Sequence, residues 1–165
     1  MDRPSGLRFA LAVIIVLFAF SIVVVFGAWS YTSLQLARAR SHGVYTTAEE
    51  GMRELLGTGY AGITRVDILY AGPNSFNGSQ PHVWYVIAEV RASRRADGLA
   101  VGDRGCDAPG SFFIQTKEGW VHVSEGAFPE FVGLWMSVFG LAGPGRSTPS
   151  TDWAPSQPAR FCQSA

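Results

Sequence analysis

From Phe9 to Trp29 the chain carries no charge, and Ser21 supplies its one hydroxyl. No polar position recurs with a helical period, so the segment has no wet face. As a helix rising 1.5 Å per residue the run is about 30 Å long, the thickness of a bilayer's hydrocarbon core. This pattern predicts a transmembrane helix over 9–29. The rival reading is a cleaved signal peptide, whose apolar region is usually about 7–15 residues and ends at a small-x-small site. Here the run is longer, and Ala28-Trp29-Ser30 and Val25-Phe26-Gly27 each carry a bulky residue. A tail over 1–8 precedes the helix and a juxtamembrane connector over 30–45 follows it. Leu34, Leu36 and Ala37 continue the helical pattern past the apolar run, and His42-Gly43 is a stop.

The pattern then changes to that of a small folded unit over 46–142. Thr46 and Thr47 precede Glu49 and Glu50 at capping-box spacing, and Val44, Ala48, Met52, Leu55 and Leu56 share a face, which predicts a helix over 47–57. Val66, Ile68 and Tyr70 alternate with Arg65 and Asp67, the signature of a strand over 64–71 buried on one side. Residues 83–91 begin apolar on both faces, as a central strand does. Strands over 111–116 and 120–124 flank the tight turn Lys117-Glu118-Gly119. Pro129 and Glu130 open a final helix over 129–141, apolar around most of its circumference. The predicted class is α+β: one N-terminal transmembrane helix and a small domain with a four-stranded antiparallel sheet packed by one or two helices. The element order over 46–124 resembles in outline the cystatin-like or PepSY-like arrangement of small exported domains. That resemblance is one of order, and no sequence motif accompanies it.

Composition narrows the function classes. The chain has 165 residues, 13 basic and 13 acidic, and 47% of its residues are apolar. So balanced a charge offers no electrostatic footprint for nucleic acid. The positive-inside comparison sets Arg3 and Arg8 before the helix against Arg38 and Arg40 after it. A short tail with two arginines fits a signal-anchor: N-terminus inside, C-terminal domain extracytoplasmic. Trp29 and Tyr31 then fall at the outer headgroup level.

Cys106 and Cys162 both lie in Gly/Pro/Ser-rich stretches rather than in apolar patterns. In an exported domain a Cys106–Cys162 disulfide is expected. It would tether the Pro/Ser-rich tail over 143–165 and be worth about 4 kcal/mol in the chain-entropy account. The alternative is a pair of reduced thiols in a cytosolic domain. Two cysteines without Cys-x-x-Cys spacing build no cysteine-rich zinc site.

The search for catalytic patterns comes up empty: no nucleophile elbow, no His-Glu-x-x-His, no phosphate loop. His42, His82 and His122 sit at separations that imply no common face and are read as ordinary polar positions, with His122 facing away from Val121 and Val123. Asp97, Asp103 and Asp107 lack calcium-loop spacing and lie among Arg94, Arg95 and Arg104. Asn77-Gly78-Ser79 fits a glycosylation acceptor but serves a turn as well. The expectation is a protein with no enzymatic activity and no cofactor. It acts as an accessory or assembly subunit of a larger membrane complex, with the bilayer and other membrane-protein subunits as partners. Phe131, Trp135 and Phe139 are the candidate partner contacts. The alternative is a membrane-anchored sensor for a small apolar ligand, its cleft lined by Trp84, Phe112, Trp120 and Trp135.

Overall fold

The computed structural model describes residues 5–73, 81–102 and 105–144. Helix α1, Ser5–His42, is continuous over 38 residues, a rod of about 57 Å. It is long and apolar enough to cross a membrane and is compatible with a single-pass anchor. Along its lower part Phe9, Ile14, Phe18, Val23 and Phe26 are all exposed. Higher up, Ala28, Thr32, Leu36 and Ala39 recur every three or four residues and form one stripe buried against the domain. The stretch expected as a connector is therefore helical through His42, and one face of it belongs to the core.

Helix α2, Ala48–Gly59, starts at the expected threonine. The Glu50 amide donates to Thr47 Oγ1 at 3.1 Å, and the Thr46 amide donates to the Glu50 carboxylate at 2.9 Å. The first satisfies an orphan donor of the first turn, and the second ties the residue before the cap back onto it. Ala48, Met52 and Leu56 are buried, whereas Val44, expected on the same face, is exposed.

The sheet is antiparallel throughout. Its main path runs β2 (Arg65–Pro73), β3 (Val83–Arg91), β6 (Gly110–Gln115), β7 (Trp120–Val123). These match the four strands read from the pattern. The sheet nevertheless has five strands rather than four, because β5, Cys106–Asp107, pairs with Arg91 and Val90 at the far end of β3. Between β5 and β6 stands Ala108-Pro109, and proline has no N–H for the ladder, so the line of chain along that side of β3 is split in two. A separate two-stranded ribbon joins β1, Tyr60–Ala61, to β4, Arg94–Arg95. Strands of two residues carry no periodicity, so the sequence pattern announces neither this ribbon nor β5.

The two faces of the sheet hold two cores. Trp84, Val86, Ala88, Val90, Phe113 and Trp120 pack under α2. The alternating positions Val83, Ile114, Val121 and Val123 pack under Leu36 and Ala39 of α1 and under Val132 and Met136 of helix α3, Pro129–Val138. Helix α3 stops short of the expected end. Gly140 takes φ 65°, and the Leu141 amide returns to the Met136 carbonyl at 2.8 Å, closing the helix.

Candidate functional site

Helix α1 is fixed to the domain along its whole upper length. At its top, Tyr45 and Trp120 exchange both backbone hydrogen bonds at 2.8 Å, and Arg40 pairs with Glu118 of the β6–β7 turn at 3.0 Å. At its bottom, the Tyr31 hydroxyl donates to the Ala127 carbonyl at 3.0 Å. The exposed ion pair adds little by itself. The buried stripe and the paired backbone set the position of the rod. Thr32 lies in that stripe, fully buried, and its hydroxyl has no partner among the described residues.

From Val123 the chain descends alongside α1 through a 3-10 turn, Glu125–Ala127, to Phe128, and α3 then turns back upward. The route is fixed by its ends: Ala127 meets Tyr31 near the bottom, and Ala142 bridges to Thr116 near the top. This brings together the three predicted contact residues. Tyr31 meets Phe131 edge-on at 5.7 Å, Phe131 meets Trp135 at 6.2 Å, and Trp135 stacks on Phe139 at 5.3 Å. The four rings form a ladder up the flank of α3, and such ring pairs add to the attraction of simple burial. Beside it, Leu134 and Val138 are exposed, while Val132, Gly133 and Met136 point inward.

The lower end of the ladder borders an apolar hollow of about 370 Å³, lined by Gly27, Ala28, Tyr31, Phe128 and Phe131. Sequence reasoning missed Phe128, Ala28 and Tyr31 as parts of one surface. The spacing of Ala28, Thr32, Leu36 and Ala39 was the available signal for which side of α1 meets the domain.

Two histidines read as unrelated lie in one cleft. His42, Tyr45, Glu54, Leu55, Thr58 and His122 line a space of about 280 Å³ between α1, α2 and β7. As expected, His122 faces away from Val121 and Val123, and its ring lies 5.6 Å from that of Phe113. Burial, and then the nearby His42, push the His122 imidazole below its ordinary pKa. The sign follows from linkage. The unfolded histidine takes up its proton near pH 6.5 and the folded one does so only at lower pH, so stability falls as pH drops through that window. His122→Gln is expected to flatten this fall, as read by melting temperature between about pH 7.5 and about pH 5. An unchanged slope would contradict the assignment. His82 is different: its Nε2 sits 3.0 Å from the Gly133 carbonyl and 3.1 Å from Ser137 Oγ, tying β3 to α3.

Among the described residues no group of three or more His, Cys, Asp or Glu is placed to hold a metal. Asp97 and Asp107 both lie against Arg95, and Asp107 also accepts a 2.6 Å hydrogen bond from Tyr60. The four aromatics expected to line a ligand cleft are divided between the two faces. Trp84 and Trp120 are buried under α2, their rings 4.8 Å apart, whereas Phe112 and Trp135 belong to the opposite side. Cys106 is buried at the end of the sheet; Cys162, Asp103 and Asn77-Gly78-Ser79 lie outside the described residues. Compared with known proteins, the chain matches no family model, no curated protein and no solved structure.

Proposed function

We propose that this is a single-pass membrane protein, anchored by α1 with its N-terminus inside and its domain on the extracytoplasmic side, that serves as a non-catalytic accessory or assembly subunit of a larger membrane complex. The observation that carries this reading is the continuity of α1: one helix runs from an exposed apolar rod into the domain's core without a flexible joint. A rod fixed in this way holds the domain at a set height and rotation above the lipid. That rigidity suits an assembly subunit that must present one surface to its neighbours. The exposed apolar side of α1 offers a lateral contact within the bilayer. Trp135 and Phe139, flanked by the exposed Leu134 and Val138, offer a second contact above it, with Phe131 at its lower end. A Cys106–Cys162 disulfide belongs to the same proposal, since an extracytoplasmic compartment favours it.

The test is extraction of the full chain from its own membranes in a mild detergent, followed by native mass measurement. The expected result is a species heavier than the 17.8 kDa chain, containing other membrane proteins. Replacement of Trp135 and Phe139 by Ser should release those proteins. A monodisperse monomer with no co-purifying protein would overturn the proposal.

A further inference from the structure

We infer that the Phe128 and Phe131 side chains make a second membrane contact, inserted into the boundary between headgroups and acyl chains of the leaflet from which α1 emerges. This rests on the reading that α1 spans the bilayer.

The depth of the turn is set by its neighbours. Gly27 and Ala28 belong to the uncharged run that ends at Trp29, so they lie in the last turn of the predicted span. Phe128 and Phe131 line the same hollow as those two residues. A rod that spans the hydrocarbon core therefore places the Phe128 ring at the height where lipid begins. The placement is fixed, because the Tyr31–Ala127 hydrogen bond and the Tyr31–Phe131 ring contact tie the turn to α1 immediately above.

The local chemistry points to lipid as the occupant. Phe128 has φ 48° and ψ 70°, and it is the one non-glycine residue with positive φ among those described. That left-handed conformation is unfavourable for a side chain as bulky as phenylalanine. The residue is nevertheless 67% exposed, so packing within the domain gives little return for the strain. Contact with acyl chains supplies it. No charged residue lines the hollow, and its apolar wall is continuous with the lipid-facing surface of α1. Trp29 and Tyr31 stand at the same level, completing the kind of aromatic collar that favours a membrane–water interface. At this depth the bilayer surrounds Phe128 whether or not a partner subunit is bound.

The experiment uses the full chain in phosphatidylcholine vesicles, with the photoreactive p-benzoylphenylalanine placed in turn at Phe128, at Phe18 in the middle of the rod, and at Thr58 on α2. After irradiation, intact mass reads the gain of one phospholipid. The expected result is a lipid adduct at Phe128 and at Phe18 and none at Thr58. An adduct at Phe18 without one at Phe128 overturns this inference and leaves the spanning helix standing, as does a protein dimer adduct at Phe128. The absence of a lipid adduct at both positions overturns the spanning reading and this inference with it.

Discussion

Phe113→Ala is expected to destabilise the domain by about 3–5 kcal/mol, the usual cost of deleting a fully buried phenylalanine ring. Phe113 stands on β6 under α2 with no exposed surface, touching Tyr45 edge-on at 6.5 Å and His122 at 5.6 Å. Its ring explains why Gly51 stands in the middle of α2. A Cβ at position 51 would lie 2.5 Å from Phe113 Cε1 and 2.6 Å from Tyr45 Cδ2, so helix and sheet approach more closely than any side chain permits. Gly51→Ala should thus be destabilising by about 1–3 kcal/mol despite alanine's better helix propensity. The double variant should cost less than the sum, because removing the Phe113 ring relieves one of the two clashes. Denaturant unfolding of the full chain in detergent micelles, followed by tryptophan fluorescence, measures all three. Strict additivity would contradict this account of the α2–sheet contact.

Leu36→Asp is expected to undock α1 from the domain. Leu36 is buried between α1 and the sheet, in the cluster that includes Val121, Val123, Val132 and Met136. A carboxylate there has no cation among those neighbours, and burying an unpaired charge costs several kcal/mol, more than a helix docked by one stripe can absorb. The α2 side of the sheet should stay folded, since its core is built from the opposite set of side chains. The expected readout is a selective rise in amide exchange over 30–42 with α2 and β3 still protected. A uniform loss of protection across the domain would instead mean that the two cores form one cooperative unit.

Much of this architecture was legible in the chain because it rests on periodicity. The uncharged run, the Thr47 cap and the hairpin of β6 and β7 are each set by local pattern, and tertiary contacts did not override them; in β2 the expected alternation fails at its end, because a bulge between Ile68 and Tyr70 puts Ala71 rather than Tyr70 on the buried face with Val66 and Ile68. The parts that escaped are those without a period of their own. β5 exists because Cys106–Asp107 falls beside the stretch of β3 that β6 does not reach, and Pro109 then divides it from β6. The meeting of His42 with His122 depends on Tyr45 pairing with Trp120, a bridge between segments far apart in sequence. The height of Phe128 is likewise a consequence of β7 running down α1, and nothing around residue 128 announces it. The stripe of Ala28, Thr32, Leu36 and Ala39 was visible in principle. Its lower end is hidden in a run where every position is apolar, so the side turned to the domain does not stand out.

On this reading one unbroken helix joins lipid to domain, and amide hydrogen exchange on the full chain in lipid nanodiscs follows that joint residue by residue. Exchange is expected to be slow without interruption from Phe9 through His42, the lower part shielded by hydrocarbon and the upper part by packing against the sheet and α3. Fast exchange over 9–29 would show that the apolar rod does not reside in the bilayer, and fast exchange over 30–42 would show a flexible tether where a rigid one is required.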